Sequence, residues 1–454
     1  MSSYAVTNPS TGEVHAEYPV ATDAEIAAAI AAADSAHRTW ARQTTPEERA
    51  AMVRKVAELH RERMDDLAAI IVREMGKPLS HATGEVEFAA DITEFYADNW
   101  DKFTGATPLE ILGAGSAVIQ RSSIGPLLGI MPWNFPYYQV ARFAAPNVVL
   151  GNTIILKHAP QCPESSAAIA QMYADAGFPE GVYVNVYASN DQAATIIADP
   201  RVQGVSVTGS ERAGSAVAAL AGANLKKVAL ELGGSDPFIV LSTEDLGSVV
   251  DQAVEARLDN SGQSCNAPKR FIVLEDLYDE FVEKFTTAMS DATMGDGFDD
   301  CTIGPLSSLL AAERLEEQVN NAVAQGATLA LGGTREGAFY APTVLTDVTP
   351  EMDVYRQELF GPASTIYKVT SEQEAVDLAN ATDYGLGSYV YTTDPEQASR
   401  IAESIDAGMV YINCVLADSP ELPFGGVKRS GTSREMGLLA ADEFVNKKLI
   451  RTAA

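Results

Sequence analysis

VALELGGSDPFIV occupies residues 228–240, near the middle of the chain. Two short apolar runs, VALEL (228–232) and PFIV (237–240), flank a Gly-Gly pair. Short apolar runs interrupted by glycines are typical of buried strands joined by a sharp change of direction. We therefore predict that one series of strands and helices ends, and another begins, near residues 232–234.

Strands and helices are predicted to alternate on both sides of this junction. The upstream series comprises IIL (154–156), a helix over 163–176, VYVNV (182–186), a helix over 190–198, VQGVSV (202–207) and a helix after Gly209. The downstream series begins with VALEL and PFIV, followed by a helix near 244–258, RFIVL (270–274), helices over 276–291 and 309–324, and further pairs to about 412. Such alternation is typical of βαβ units with parallel sheets, so the predicted fold class is α/β.

The first 131 residues are predicted to differ from this pattern. Periodic apolar residues predict helices over 23–41, 46–75 and 84–103. Pro46 and the two glutamates after it are typical of a helix start. Residues 117–121 and 124–131 are β-rich, and we predict that they form an antiparallel pair.

Composition limits the possible class of protein. The chain has 454 residues, more than the ~250–300 at which one core usually stops growing, so two or three domains are expected. No signal peptide and no apolar run of ~18 residues is evident, which predicts a cytoplasmic protein without a membrane span. The four cysteines, at 162, 265, 301 and 414, lack CxxC spacing, so we expect reduced thiols. No metal site is expected either.

The charge is strongly acidic, with 62 Asp and Glu against 32 Lys and Arg, a net charge of −30. Nucleic acid is therefore not an expected partner. Our hypothesis is that this acidic surface suits concentrated salt, because counterions screen the self-repulsion of the folded chain. A free energy of unfolding that stays flat or falls from low to molar KCl would contradict it.

Cys265 is the candidate nucleophile. It lies in SGQSCNAPKR, among small and polar residues where a thiolate can be exposed yet held. An ordinary free cysteine is the alternative. A cysteine hydrolase would use a histidine partner, but all five histidines lie well before Cys265 in the chain, at 15, 37, 60, 81 and 158.

Two further residues suit acid–base chemistry and oxyanion binding. Glu231 interrupts the apolar strand VALEL at its end, where ligands bind in α/β sheets. Desolvation there would raise its pKa and suit a general base, whereas a structural ion pair is the alternative. Asn134, in MPWNFPYYQ, lies between two prolines that restrict the backbone. Its amide could donate to an oxyanion or simply serve a turn.

A phosphate-binding function is indicated for two segments. VTGSERAG (207–214) places a strand, a glycine and a helix start in succession, and the hydroxyl of Ser210 adds a donor there. This is not the GxGxxG fingerprint. Lys157 follows the strand IIL at a carboxyl edge and could reach a ribose or phosphate, unless it is simply solvated.

Seven motifs together resemble the aldehyde dehydrogenase superfamily. They occur in the order and approximate spacing of that family: MPWNFP, LKHAP, VTGS, LELGGSDPF, GQSC, ELFGP and PFGGVKRSG. The resemblance runs from TNPSTGEV at the start of the chain to the C-terminus. The resemblance implies that Cys265 attacks an aldehyde and that Glu231 activates the water that releases the acid. Asn134 and the backbone N–H of Cys265 would bind the oxyanion.

The resemblance also implies an NAD or NADP cofactor. Its contacts carry over to Trp133, Lys157, Gly209, Ser210, Gly214, Leu232, Glu358 and Phe360. Glu358 is expected at the nicotinamide ribose, and residues 209–210 near the pyrophosphate. NAD-preferring relatives often have a glutamate three residues after the lysine, where this chain has Pro160, so strict NAD specificity is not expected.

Within the family, the chain resembles bacterial and archaeal succinate-semialdehyde dehydrogenases. Arg142 and Ser419 match the residues that hold the substrate carboxylate there. A second arginine of better-known members is replaced by Asp259, so either carboxylate binding is weaker or Arg257 or Arg270 contributes. A second cysteine, a redox switch in some relatives, is replaced by Ala267, so no such switch is expected.

The family architecture implies three parts. These are a Rossmann-like cofactor-binding domain (1–111 and 132–231), an α/β catalytic domain (232–423) and an antiparallel oligomerisation arm (112–131 and 424–454). A homodimer or homotetramer is expected. The alternatives are another semialdehyde or an aliphatic aldehyde as substrate, a cofactor-independent cysteine esterase, and a non-catalytic binding protein.

Overall fold

The computed structural model describes residues 4–454. The helices are α1 (Asp23–Gln43), α2 (Pro46–Glu62), α3 (Met64–Met75), α4 (Leu79–Asp98), α5 (Trp100–Thr104), α6 (Tyr138–Leu150), α7 (Pro163–Asp175), α8 (Asn190–Ala198), α9 (Glu211–Ala223), α10 (Leu246–Leu258), α11 (Glu275–Ser290), α12 (Leu309–Ala324), α13 (Glu372–Asn380) and α14 (Pro395–Ser404). The strands are β1 (Tyr4–Thr7), β2 (Val14–Tyr18), β3 (Ala106–Leu109), β4 (Ser116–Ser123), β5 (Pro126–Met131), β6 (Thr153–His158), β7 (Tyr183–Asn185), β8 (Gly204–Thr208), β9 (Lys227–Glu231), β10 (Asp236–Val240), β11 (Pro268–Leu274), β12 (Thr328–Leu331), β13 (Arg335–Glu336), β14 (Phe339–Tyr340), β15 (Thr343–Thr346), β16 (Ala363–Val369), β17 (Tyr389–Tyr391), β18 (Tyr411–Ile412) and β19 (Val445–Thr452).

The upstream series forms a five-stranded parallel sheet in the order β7-β6-β5-β8-β9. The chain alternates between strand and helix through α7, α8 and α9, as the sequence predicts. Every residue of β6 and β8 is buried, because helices cover both faces of the sheet. α1 and α8 share a core cluster with one face, and α2, α3, α4 and α6 share another cluster with the sheet.

The downstream series forms a seven-stranded sheet in the order β12-β15-β16-β11-β10-β17-β18. Its pairings are parallel except for the edge strand β12, which runs antiparallel to β15. Two separate core clusters contain residues of its opposite faces, so this sheet is also covered on both sides. The α/β class is confirmed.

The chain passes between the two sheets within five residues. Glu231 is the last residue of β9, at an edge of the first sheet, and Asp236 is the first residue of β10, inside the second. The VALEL run therefore completes the first sheet, although the sequence pattern alone had assigned it to the downstream series. The division into three domains remains a prediction.

The predicted antiparallel pairing of 117–121 with 124–131 is wrong. β4 pairs instead with β3 and β19 in a three-stranded antiparallel sheet, and β5 pairs in parallel with β6 and β8. The physical reason is burial: β5 has the sequence PLLGIM and five of its six residues are buried. An apolar run of this kind fits the interior of a parallel sheet rather than an exposed hairpin.

Two predicted helices are each divided in the structure. The helix predicted over 46–75 breaks at Arg63, whose φ of −112° and ψ of 16° are not helical. The segment predicted over 84–103 starts earlier, at Leu79, and breaks at Asn99. Neither break has a glycine or proline to mark it, so apolar periodicity alone could not locate it.

Candidate active site

The candidate site is a cavity of about 330 Å³ between the two sheets. It lies among residues that follow β5, β8 and β9 and residues that precede β11 and β16. Eight of the thirteen predicted site residues line it: Trp133, Asn134, Gly209, Ser210, Leu232, Cys265, Glu358 and Phe360. The fold therefore brings together residues that are more than 200 positions apart in the chain.

Cys265 lies in the loop between α10 and β11 and is half-buried. The loop enters this position through a left-handed turn, since Asn260, Ser261 and Gly262 have φ values of 51°, 56° and 74°. Such conformations are costly for residues other than glycine and occur often at functional sites. Burial raises the pKa of the Cys265 thiol to about 12, while the nearby cations of Arg142 and Lys269 oppose that rise.

Asn134 is buried and its amide is held in a defined orientation. The Nδ2 atom donates to the carbonyl oxygen of Gln263 at 3.0 Å, and Oδ1 accepts from Nε2 of Gln139 at 3.1 Å. Because an amide nitrogen carries two protons, one N–H of Asn134 remains for a ligand. A fixed donor that shares a cavity with a thiol can stabilise an oxyanion formed on attack by sulfur.

The backbone of Asn134 is fixed by a buried ion pair. Nζ of Lys77 donates to the carbonyl oxygen of Asn134 at 2.8 Å and to Oε2 of Glu85 at 2.5 Å. Oε1 of Glu85 accepts from the backbone N–H of Tyr137 at 2.8 Å. Lys77 and Glu85 have fully buried side chains, so the helical layer holds the loop after β5 through charge-assisted hydrogen bonds.

Glu231 does not line the cavity but lies beside it, at the end of β9. Its Oε1 accepts from the hydroxyl of Ser433 at 2.6 Å, whereas its Oε2 is buried and has no partner within residues 4–454. Burial and the neighbouring carboxyl of Glu435 raise the pKa of Glu231 well above its usual value, against the effect of Arg142. A carboxyl with a raised pKa is suited to general-base catalysis.

Arg142 is fully buried in α6, close to these groups. Its guanidinium forms an ion pair with Glu435, donates to the hydroxyl of Tyr138 at 3.0 Å, and lies 4.5 Å from the centre of the Phe424 ring. Nη2 is buried and makes no hydrogen bond within the described part of the chain. Arg142 therefore retains an unused donor beneath the catalytic groups.

The other substrate-binding candidates do not join Arg142. The hydroxyl of Ser419 donates to Glu421 instead. Arg270 donates to three backbone carbonyls, those of Ser235, Leu378 and Ala379. Arg257 likewise donates to backbone carbonyls around residues 262, 268 and 361. The expectation that Arg257 or Arg270 replaces a second substrate arginine is wrong, because both guanidinium groups anchor loops.

The predicted cofactor residues around α9 have distinct local roles. The hydroxyl of Ser210 caps α9 by accepting from Ala213, and Gly209 donates to the carbonyl oxygen of Glu231 at 3.0 Å. Gly214 is outside the cavity lining, but a Cβ there would lie 2.6 Å from Cδ2 of Leu232. Gly214 therefore permits the close packing of α9 on Leu232. The start of α9 beside the cavity fits a phosphate group.

Lys157, near the end of β6, is also outside the lining. Its side chain makes no hydrogen bond or ion pair within residues 4–454, and burial lowers its pKa. At the far end of the cavity, Oε1 of Glu358 accepts from the N–H of Gly234 at 3.0 Å. Trp133 and Phe360 meet edge to face at 5.8 Å. A helix start and a carboxylate thus border the cavity, and an uncommitted cation lies outside its lining.

Several functional residues were missed by the sequence reasoning. Gln139, Thr208, Arg314 and Gln318 line the cavity, and Ser433 binds Glu231. Gln139 could have been found as a polar residue five positions after Asn134, at the start of α6. Ser433 and Arg314 carry no local signal, because only tertiary folding brings the C-terminal segment and α12 to the site.

Within residues 4–454, no group of three or more His, Cys, Asp and Glu side chains is arranged to hold a metal ion. In the same range, none of the helices combines the length and the apolar composition that crossing a membrane requires.

Comparison with known proteins assigns the family. The family model described as "Aldehyde dehydrogenase family" matches residues 1–450. A succinate-semialdehyde dehydrogenase (NADP(+)) of Deinococcus radiodurans is 50% identical over 452 residues, covering 99% of this chain and 94% of that protein. A protein of the same description from Mycobacterium avium is 43% identical, covering 98% and 96%. The crystal structure of succinic semialdehyde dehydrogenase from Streptococcus pyogenes with NADP+ matches with a TM-score of 0.97 and 41% identity, covering 99% of this chain and 100% of that one.

The Lys77–Glu85 pair generates a stability prediction. Lys77→Met should lower the free energy of unfolding by about 3–5 kcal/mol, because it leaves the Glu85 carboxylate buried without its cation. Denaturant titration followed by circular dichroism measures the change. Lys55→Met is the matched control, since Lys55 pairs with Glu58 on the exposed surface and its loss should change little. Equal effects of the two substitutions would contradict the prediction.

Proposed function

This chain belongs to the aldehyde dehydrogenase family, and from that premise we propose that it oxidises succinate semialdehyde to succinate with NADP+ as the hydride acceptor. The observation that carries the substrate assignment is Arg142. Its guanidinium is buried among the catalytic groups and retains an unpaired N–H donor. A carboxylate on the substrate is the chemical partner that such a donor selects.

In the proposed reaction, the thiolate of Cys265 attacks the aldehyde carbon. The free N–H of Asn134 and the backbone N–H of Cys265 stabilise the oxyanion that forms. Loss of hydride leaves a thioester on Cys265, and bound NADP+ supplies the acceptor for that hydride. Glu231 then takes a proton from the water that hydrolyses the thioester, which releases the acid and expels Cys265 as the thiolate.

The residues around the cavity fit a phosphorylated dinucleotide. We propose that the start of α9 at residues 209–210 binds the pyrophosphate and that Glu358 binds the nicotinamide ribose. We propose that Lys157, which lies near the carboxyl end of β6 and is uncommitted within the described chain, binds the adenosine ribose and its 2′-phosphate. Arg314 at the cavity wall adds a second cation without an ion pair in residues 4–454.

The acid-release step gives a first test. Glu231→Gln should produce a burst of about one reduced cofactor per active site and then turn over at least ~100-fold more slowly, because the amide cannot accept the proton of water. Stopped-flow absorbance of the reduced cofactor measures both phases.

The raised pKa of Glu231 also means that wild-type kcat should fall as the pH is lowered through that pKa, as the carboxylate becomes protonated.

The control for this test is Cys265→Ala, which should abolish the burst as well as turnover. Unimpaired steady-state turnover in Glu231→Gln would exclude this carboxylate as the base.

The substrate assignment is tested by comparing succinate semialdehyde with butanal, which has the same chain length but no carboxylate. Arg142→Ala should lower kcat/KM for succinate semialdehyde by about 10–100-fold, the loss expected for charge-assisted hydrogen bonds of ~1.5–3 kcal/mol. The value for butanal should fall by a smaller factor, which measures the effect that Arg142→Ala has through Glu435, Glu231 and Cys265 rather than through the substrate carboxylate. If the wild-type enzyme uses both aldehydes equally, the substrate assignment is wrong and only the aldehyde dehydrogenase activity stands.

The cofactor assignment is tested at Pro160, three residues after Lys157. Pro160→Glu should lower kcat/KM for NADP+ by at least about tenfold and spare NAD+, because a carboxylate there would repel the 2′-phosphate. Gln171→Glu, on the exposed surface of α7, adds the same charge away from the proposed site and should leave the ratio unchanged. An unaltered NADP+ to NAD+ ratio in Pro160→Glu would contradict the assignment.

We also propose that the protein is a homodimer or homotetramer. β18 and β19 are edge strands of their sheets, and both carry exposed apolar residues, including Ile412 and Leu449. Open edges of this kind pair readily with another chain. Light scattering should give a multiple of the 48.2 kDa chain mass, and Leu449→Asp should shift the distribution to smaller species. A wild-type protein that remains a single monomeric species across the concentration range would refute the proposal.

A further inference from the structure

Lys269 lies directly behind the nucleophile loop and has no role in the reaction described above. It is the second residue of β11, the central strand of the seven-stranded sheet, and its side chain is 1% exposed. Burying an ammonium group is costly unless every N–H finds an acceptor. The partners of Lys269 therefore show what the charge is used for.

All three N–H groups of Lys269 are directed at the nucleophile loop. Nζ donates to the carbonyl oxygens of Ser264 at 3.0 Å, Cys265 at 2.7 Å and Ala267 at 3.1 Å. One cation thus fixes the carbonyls on both sides of the reactive residue. These bonds add to others on the same loop, since Asn134 donates to the carbonyl oxygen of Gln263 and Arg257 donates to that of Gly262.

The same ammonium also connects the loop to the cavity. Nζ of Lys269 lies 3.5 Å from Oε1 of Glu358, and that oxygen accepts from the N–H of Gly234 at 3.0 Å. Glu358 lines the cavity together with Cys265. A ligand that binds the Glu358 carboxylate therefore changes the electrostatic environment of the cation that holds the Cys265 carbonyl.

The contacts of Lys269 differ from those of two other buried cations that only hold backbone segments in place. Arg257 and Arg270 are also buried and also donate to backbone carbonyls. Neither lies within ion-pair distance of a carboxylate that lines the cavity. Lys269 alone, among the buried cations of residues 4–454, contacts both the backbone of Cys265 and a lining carboxylate.

We propose that Lys269 is a positioning residue that holds the Cys265 loop in its reactive conformation and couples the reactivity of the thiol to occupancy of the cofactor cavity through Glu358. The coupling rests on the proposed function, in which Glu358 contacts the bound cofactor. The positioning depends only on the contacts of Lys269. Its positive charge also opposes the rise in the pKa of Cys265 that burial causes.

The test uses the full-length enzyme and the rate at which iodoacetamide modifies Cys265, measured by peptide mass spectrometry. The rate is recorded from neutral to alkaline pH, with and without NADP+, for the wild type, Lys269→Met and Lys269→Arg. This readout requires no turnover. Tm values and far-UV circular dichroism accompany each variant to record its folding.

Lys269→Met should shift the pH profile of Cys265 modification to higher pH and slow modification at neutral pH by at least about fivefold. The change in rate that NADP+ causes in the wild type should fall to less than about twofold. Lys269→Arg keeps the charge and should recover part of both effects. kcat should fall by at least about tenfold in Lys269→Met, with KM for NADP+ changed by less than about threefold.

A lower Tm with an unchanged pH profile and an unchanged NADP+ effect would overturn the proposal, because it would show a purely structural anchor. If Lys269→Met does not fold, Glu358→Gln provides the second arm, since it should remove the NADP+ effect while the loop contacts remain. An NADP+ effect that persists in Glu358→Gln, or that is absent in the wild type, would overturn the coupling. Failure of the wild type to oxidise succinate semialdehyde would instead refute the substrate assignment and leave this result standing.

Discussion

The site depends on the close approach of backbone segments at Gly233 and Gly234. A Cβ atom at Gly234 would lie 2.6 Å from the carbonyl oxygen of Cys265, and one at Gly233 would lie 2.5 Å from Oε2 of Glu358. Atoms cannot approach so closely, so a side chain at Gly234 would force the backbone segments apart, and one at Gly233 would displace the Glu358 carboxylate. The junction between the two sheets thereby brings the candidate base, the nucleophile loop and the cavity carboxylate together. The Gly-Gly pair has this steric role in addition to its role as a sharp turn.

The charged groups inside this junction form pairs of a cation and a carboxylate. The cations Arg142 and Lys269 are buried near Cys265, and each is paired with a carboxylate, Glu435 or Glu358. Removing these groups from water costs free energy that hydrogen bonds and ion pairs must offset. Such a structure is less stable than an apolar core of the same shape would be. The gain is a preorganised environment in which a buried thiol and a buried carboxyl retain the neighbours that set their pKa values.

The sequence predicted the parts of this arrangement that depend on local pattern. The α/β alternation follows from short apolar runs, and the helix predicted over 190–198 has the same first and last residues as α8. The family motifs named eight residues that line the cavity. The contacts that the sequence did not predict depend on how segments far apart in the chain pack together. The apolar run of β5 could not reveal that it pairs inside a parallel sheet, nor could NAPKR reveal that Lys269 turns back toward Cys265. The pairing of Ser419 with Glu421 likewise arises from the conformation of an irregular segment.

Asp259 clarifies how the carboxylate of a substrate can be held without a second arginine. Its Oδ1 lies 3.7 Å from Nδ1 of His81, so the residue at this position faces α4 and adds no cation to the site. With Arg257 and Arg270 engaged by carbonyls, Arg142 is the guanidinium close to both Glu231 and Cys265. Its guanidinium already forms an ion pair with Glu435, and its Nη2 nitrogen has no hydrogen-bond partner within residues 4–454. Recognition by one nitrogen provides less binding energy than a bidentate pair of arginines would. In the function that we propose, selectivity for a carboxylate comes from burial, because in a site from which water is excluded even one charged donor discriminates strongly against an uncharged substrate.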